Sequence, residues 1–213
     1  MTATPVLDLG LLEQQRCVAI VRGSTVNHFA ATARTLVESG IAILEFPLTT
    51  RGVLAALPDI AADLGPDAYV GTGTVTTLDQ AKASFESGSR FLVTPNLNVP
   101  VIEYARSVNL PILVGAFSPT EIFTAWSAGA TAVKLFPGSL GGPDYVRELT
   151  TGPFPEIPLV PTGGVQISQV RSFLEAGAVA FGMGGSLLGP APNGGSQEDL
   201  NLRIKRFRAV ACA

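Results

Sequence analysis

SAGATAVKLF, at residues 127–136, contains the end of a helical pattern, a glycine and a buried strand in close succession. Three other stretches repeat this arrangement: ESGIAILEF at 38–46, ESGSRFLV at 86–93 and EAGAVAFGM at 175–183. In each stretch the glycine stands where a helix C-cap needs a positive φ angle, which glycine adopts without steric cost. The chain therefore repeats a unit in which a helix leads into a strand, as in a βα motif.

Short runs rich in β-branched residues predict eight strands, at 17–21, 42–48, 69–75, 91–95, 112–117, 132–137, 159–164 and 180–185. These runs are apolar almost throughout rather than alternating with polar residues. Such a pattern indicates strands that are covered on both faces, and it therefore favours a parallel sheet.

Segments of helical period separate the strands, at 27–38, 52–64, 78–86, 99–108, 120–128, 143–149, 167–175 and 197–210. Eight βα units without a break in composition predict a (β/α)8 TIM barrel, a single domain over residues 1–213. A short N-terminal helix before Cys17 is expected to close the bottom of this barrel. A doubly wound open sheet is the alternative, but the first βα turn at 22–24 lacks the G-x-G-x-x-G dinucleotide fingerprint.

The composition limits the possible functions. Of the 213 residues, 46% are hydrophobic and 15% are charged, which excludes a disordered chain. The net charge of −3 argues against a nucleic acid or an anionic membrane as the main partner. A single histidine and two distant cysteines argue against a histidine metal site, a Ser-His-Asp triad and a disulfide framework. Neither a metal nor a cofactor is predicted.

The N-terminal residues lack the basic segment of a signal peptide, and no apolar run reaches the roughly 18 residues that span a bilayer. The sequence therefore predicts a cytoplasmic protein that does not associate with membranes.

Polar residues, a proline and several glycines cluster at the carboxyl ends of the predicted strands, the face on which a TIM barrel carries its active site. They are Arg22, Glu45, Thr72, Thr74, Thr94, Pro95, Asn96, Lys134, the run 162–164 and the run 184–186. Glu45 and Lys134 are the charged residues embedded within strand interiors, which makes them the candidate catalytic residues.

Strand alternation puts Lys134 on one face with Ala132 and Phe136, and Glu45 on one face with Ile43. Strands 2 and 6 stand opposite one another in an eight-stranded barrel, so both charges can point into the lumen. A lysine among apolar residues is disfavoured as a cation, and a neutral amine attacks a carbonyl to form a Schiff base. Glu45 would then transfer protons. The alternative is a buried Lys–Glu pair without catalysis.

Glycines follow strands 7 and 8, as Gly163 and Gly164 and as Gly184, Gly185 and Ser186. Barrels often bind phosphate at this place through backbone N–H groups, which glycine lets an anion approach closely. Two ordinary tight turns are the alternative. The arginine that ends strand 1 can clamp a carboxylate or a phosphate, or can simply be exposed in its loop.

Motifs along essentially the whole chain resemble the 2-keto-3-deoxy-6-phosphogluconate (KDPG) aldolase family, which includes the 6-phosphogalactonate (KDPGal) and 4-hydroxy-2-oxoglutarate aldolases. The motifs are VRG at 21–23, LEFPLTT at 44–50, GTGTV at 71–75, VTPNL at 93–97, VKLFPG at 133–138, GPFP at 152–155, PTGGV at 161–165 and GGSLL at 184–188. Single motifs of this kind are weak signals, whereas the ordered set is specific.

The resemblance implies a class I aldolase, independent of metal or cofactor, that converts a phosphorylated 2-keto-3-deoxy sugar acid to pyruvate and glyceraldehyde 3-phosphate. It implies Lys134 as the Schiff-base lysine and Glu45 as the general acid and base. It also implies the substrate contacts: Thr74 with Arg22 nearby at the pyruvyl carboxylate, Pro95 and Phe136 at the methyl group, and Gly163, Gly164, Gly185 and Ser186 at the phosphate. Family members are commonly homotrimers.

The chain departs from the family pattern at Thr49, where many relatives carry an arginine four residues after the catalytic glutamate. Carboxylate binding would then depend on Arg22 and Thr74, or on Arg51 if its side chain turns inward.

The substrate epimer stays open, because 46–50 and 94–96 resemble the galactonate branch and Thr162 resembles the gluconate branch. Two other functions also stay open. One is a phosphosugar isomerase or synthase without a covalent intermediate, and the other is a non-catalytic protein that binds a phosphorylated ligand.

Overall fold

A computed structural model describes residues 7–212 of the chain. Eight parallel strands form its centre: β1 (Cys17–Ile20), β2 (Ile43–Pro47), β3 (Tyr69–Gly73), β4 (Leu92–Val93), β5 (Ile112–Ala116), β6 (Ala132–Leu135), β7 (Leu159–Pro161) and β8 (Phe181–Met183). They are ordered β7-β6-β5-β4-β3-β2-β1-β8. A bridge between Thr162 and Gly182 joins the two ends of this sheet, so the strands form the predicted barrel and the open-sheet alternative is wrong.

Helices surround the strands: α1 (Leu9–Gln15), α2 (Phe29–Glu38), α3 (Val53–Leu64), α4 (Leu78–Glu86), α5 (Val99–Ser107), α6 (Pro119–Ala128), α7 (Gly138–Thr151), α8 (Val170–Glu175), α9 (Gly185–Leu188) and α10 (Gln197–Ala211). The described residues include no helix long and apolar enough to cross a membrane. The predicted helix–glycine–strand repeat is visible at Gly129, which ends α6 with φ +102° before β6 begins.

The buried residues form two separate clusters. Strand residues that face away from the barrel axis pack against the helices. The strand residues that alternate with them face the axis and, together with Leu7 and Leu12, fill the end of the lumen near α1. Helix α1 carries Leu12 and is N-capped by Asp8, whose carboxylate accepts a hydrogen bond from the Leu11 N–H at 2.8 Å. The N-terminal helix therefore closes the bottom of the barrel, as expected, and leaves the opposite end for the site.

Glycines in the lumen make room for functional side chains. A Cβ atom on Gly73 of β3 would overlap the Glu45 carboxyl group, and one on Gly182 of β8 would overlap the Thr162 hydroxyl. Because a β-strand sends alternate residues inward, a larger side chain at either position would point directly at its neighbour. Glycine at these two positions thus leaves space in the lumen for the Glu45 carboxyl group and the Thr162 hydroxyl.

Several predicted elements differ in the structure. Strands β7 and β8 end at Pro161 and Met183, before the predicted residues 164 and 185. Strand β4 is reduced to two residues, and the predicted helix at 167–175 is divided into a 3-10 turn at Ile167–Gln169 and α8. Helix α7 begins at Gly138 instead of residue 143, because a separate helical turn precedes the kink at Gly142, where φ is +66°. Helix α9, just after β8, was not predicted.

Candidate active site

A cavity of about 250 Å³ opens at the carboxyl ends of β1, β6, β7 and β8. Its walls include most of the site residues predicted from the sequence. The lining residues are Ile20, Arg22, Lys134, Phe136, Thr162, Gly163, Gly164, Val165, Gln166, Gly182, Gly184, Gly185 and Ser186. One cavity therefore joins the candidate lysine to both glycine turns.

Lys134 stands on β6 and points into the lumen, as alternation predicted. Its residue is only 5% exposed, and its register neighbours are Gly115 on β5 and Val160 on β7. The Nζ atom lies 5.5 Å from the centre of the Phe136 ring, within the range of a cation–π contact. Within residues 7–212, no carboxylate lies within 4.0 Å of this amine. The amine is therefore buried, opens to the cavity and forms no ion pair with a protein carboxylate.

Glu45 stands on β2 and is 1% exposed. Its Oε1 atom is buried and has no hydrogen-bond partner among residues 7–212, although buried polar groups are almost always paired. The carboxyl group lies against Gly73, which leaves space for it in the lumen. Glu45 and Lys134 share the lumen but form no direct ion pair, so the structure does not support the alternative of a closed Lys–Glu pair.

Two carbonyl groups of the turn after β7 accept hydrogen bonds from the first residues of α7. The Gly138 N–H donates to the Thr162 carbonyl at 2.6 Å, and the Ser139 N–H donates to the Gly163 carbonyl at 3.0 Å. Gly163 and Gly164 have φ angles of +87° and +77°, a region that favours glycine. Among the described residues the Gly164 N–H donates to no protein acceptor, so it is available to a ligand anion.

The second glycine turn leads from β8 into the short helix α9. The Gly184 carbonyl accepts hydrogen bonds from the Leu187 and Leu188 N–H groups, at 3.0 and 2.8 Å. Gly185 and Ser186 form the first turn of this helix, where N–H groups have no acceptor within the helix. Both turns therefore present backbone donors to the same cavity.

Arg22 follows β1, is exposed and lines this cavity. Its loop is held on two sides. The Ser24 N–H donates to Asn193 Oδ1 at 2.8 Å, and the Thr50 hydroxyl donates to the Gly23 carbonyl at 2.9 Å. The arginine is thus a cation at the rim of the site on an anchored loop.

Other predicted residues lie outside the cavity walls. Thr49 is exposed, and Thr74 and Pro95 are half-buried at the ends of β3 and β4. Thr74 has a φ angle of +54°, which is an outlier for a β-branched residue. Arg51 lines a separate cavity of about 360 Å³ beside Gln80, so its side chain does not point into the predicted substrate site.

Sequence reasoning missed four of the lining residues: Ile20, Val165, Gln166 and Gly182. Ile20 and Gly182 could have been found from strand alternation, since each lies two residues before a predicted site residue. Val165 and Gln166 directly follow the glycine turn, but no motif distinguishes their side chains. The described residues contain no group of three or more His, Cys, Asp or Glu side chains that could hold a metal ion.

The fold and the site define a (β/α)8-barrel enzyme whose polar groups gather at the carboxyl ends of the strands. The family model described as "KDPG and KHG aldolase" matches residues 10–201. The chain belongs to this family. It is therefore an aldolase, a carbon–carbon lyase that forms pyruvate, and the isomerase and non-catalytic hypotheses are disfavoured.

Individual relatives agree with this assignment. The chain is 32% identical over 170 residues to a 2-dehydro-3-deoxy-6-phosphogalactonate aldolase of Escherichia coli K12, covering 80% of this chain and 83% of the relative. It is 31% identical over 174 residues to a 2-dehydro-3-deoxy-phosphogluconate aldolase of Dickeya dadantii, covering 82% and 81%. A solved structure of native KDPGal superposes with a TM-score of 0.85 at 30% identity, covering 91% of this chain and 93% of that chain.

Proposed function

We propose that this protein is a class I aldolase that cleaves 2-keto-3-deoxy-6-phosphogluconate, or its galactonate epimer, to pyruvate and D-glyceraldehyde 3-phosphate. The observation that carries the proposal is the buried, unpaired Lys134 amine in a cavity shared with two glycine turns. The names of the two relatives support both epimers as candidates.

Lys134 would form the covalent intermediate. In its deprotonated form the Nζ atom attacks the C2 carbonyl of the keto acid, and loss of water from the carbinolamine forms an iminium ion. Removal of the C4 hydroxyl proton then breaks the C3–C4 bond, which releases the aldehyde and leaves an enamine. Protonation at C3 and hydrolysis release pyruvate and regenerate the amine.

Glu45 would move the protons in these steps. Its buried Oε1 atom has no hydrogen-bond partner in the described part of the chain, so it is available to a substrate hydroxyl or to water. Because Glu45 and Lys134 do not pair with one another, each can act on a substrate carbon held between them.

The substrate ends would bind at different parts of the barrel mouth. The turns at Gly163, Gly164, Gly184, Gly185 and Ser186 would bind the phosphate, with Thr162 beside them, and Arg22 would add a positive charge. Thr74 would bind the pyruvyl carboxylate, Pro95 and Phe136 would contact the methyl side, and Thr49 would stand where many relatives have arginine. The absence of that arginine makes Thr74 more important in this chain.

Borohydride trapping with pyruvate tests this proposal. We expect a reduced pyruvyl adduct on Lys134, no adduct in Lys134→Met, and a normal adduct in Lys82→Met. Lys82 is a matched control because it is exposed on α4, away from the lumen. A wild-type protein that is folded but forms no adduct would contradict the Schiff-base mechanism.

We also propose that the chain forms a homotrimer in the cytoplasm. The family resemblance supports the trimer, and the two free cysteines are compatible with a reducing compartment. Light scattering after size-exclusion chromatography measures the mass directly, and a 22.1 kDa species would contradict the trimer.

A further inference from the structure

Gln166 lines the cavity just beyond the first glycine turn. Its side-chain Nε2 donates to the Gly164 carbonyl at 3.1 Å, and its backbone N–H donates to Gln169 Oε1 at 3.1 Å. The Gln166 side chain therefore folds back onto the turn that precedes it. The Gln169 side chain holds the backbone of Gln166 from the other side.

Three successive carbonyl groups of the turn accept hydrogen bonds from separate donors. The Thr162 and Gly163 carbonyls bind backbone N–H groups at the start of α7. The Gly164 carbonyl instead binds the Gln166 amide. Backbone donors are available whatever the side chain, so the Gly164 carbonyl is the one whose position depends on a particular residue type.

The Gly164 carbonyl and the Val165 N–H belong to one rigid peptide plane and must rotate together. Gly164 lacks a Cβ atom and has a φ angle of +77°, so few steric barriers oppose that rotation. Among the described residues the Val165 N–H, like that of Gly164, donates to no protein acceptor. The hydrogen bond from Gln166 is thus a direct restraint on the direction of one candidate anion donor.

We propose that Gln166 is a positioning residue for the phosphate end of the substrate: it holds the Gly164–Val165 peptide in the orientation that binds the anion. This inference rests on the proposed aldolase function. Gln166 acts through the turn, so its effect falls on the binding of phosphorylated ligands and leaves Schiff-base formation unchanged.

The variant Gln166→Met keeps a side chain of similar length and removes the amide donor. Loss of one such hydrogen bond should raise the KM for the phosphorylated keto acid by roughly five- to tenfold, with kcat changed by less than about twofold. The dissociation constant of inorganic phosphate, measured by calorimetry, should rise by a similar factor. Borohydride trapping with pyruvate should match that of the wild type.

Ser168→Ala is the matched control, because Ser168 is an exposed residue of the same 3-10 turn and makes neither of these two hydrogen bonds. It should retain the wild-type KM and phosphate affinity. Equal losses in both variants would show a merely structural role for this segment and overturn the proposal, as would a Gln166→Met variant with unchanged phosphate affinity.

The phosphate measurement needs no turnover, so it separates the two hypotheses. A wild-type protein that binds phosphate through Gln166 but forms no pyruvyl adduct would refute the aldolase mechanism and leave the positioning role intact. A protein that forms the adduct and is indifferent to Gln166 would refute the positioning role alone.

Discussion

Replacement of Gly73 by alanine tests whether the lumen holds Glu45 in the position proposed for catalysis. The added Cβ atom would overlap the carboxyl group and the Cγ atom of Glu45. The Gly73 backbone itself is compatible with alanine, since its φ angle is not among the positive ones. The substitution therefore acts through a single clash inside the barrel.

The magnitude follows from the packing of Glu45. This side chain is 1% exposed and has no solvent into which it could rotate freely. Overpacking of this kind costs about 1–3 kcal/mol, which for a chain of this size lowers Tm by roughly 2–12 °C. A displaced acid and base group should slow carbon–carbon cleavage by about 100-fold or more.

Two assays separate the steps. Cleavage is followed by coupling pyruvate release to lactate dehydrogenase, and Schiff-base formation on Lys134 is followed by borohydride trapping at saturating pyruvate. Gly10→Ala is the control, because a Cβ atom there meets only Asp8 Oδ1, at 3.5 Å. A Gly73→Ala protein that cleaves substrate at the wild-type rate would refute the placement of Glu45 in the reaction.

Three further outcomes are expected. Glu45→Gln should lose cleavage by at least about 100-fold while keeping its fold, as measured by steady-state kinetics and circular dichroism, and normal kinetics would refute its role. Hydrogen bonds from the Ser118 N–H, the Ser118 hydroxyl and the Phe117 N–H lower the pKa of Glu121. The ionised carboxylate therefore stabilises the fold at pH values above its ordinary pKa. This stabilisation is lost as the pH falls through the lowered pKa of the folded state. Glu121→Ala should therefore cost about 1 kcal/mol at neutral pH and less near pH 3, by urea unfolding, and an equal cost at both pH values would contradict the charged cap. Burial raises the pKa of the Cys17 thiol, so a thiol reagent should modify the exposed Cys212 in the native protein and reach Cys17 only after unfolding.

Much of the fold could be predicted because its signals are local. The glycine that ends α6 and the apolar run of β6 lie within ten residues of one another, and each has a direct conformational meaning. The inward direction of Glu45 and Lys134 follows from the two-residue period of a strand. The kink at Gly142 was missed, since the sequence does not show whether two helical turns continue into one another or bend.

The candidate site could be predicted only in part, for a related reason. Residues at strand ends are brought to one face by the topology, which is why Arg22, Lys134 and the glycine turns line one cavity. The direction of a loop side chain depends on what packs beside it. Arg51 turns to a separate cavity and Gln166 folds onto Gly164, and neither orientation has a sequence signal.

The sequence by itself determined the eight βα units, their parallel arrangement and the chemistry at the strand ends, because these depend on neighbours within a few residues along the chain. Tertiary structure alone decided that Glu45 and Lys134, both directed into the lumen, form no ion pair with one another, and that Gly73 leaves space for the carboxylate. Both relations involve residues on different strands. Their distances are set by how the barrel closes and by the volume of every side chain that fills it.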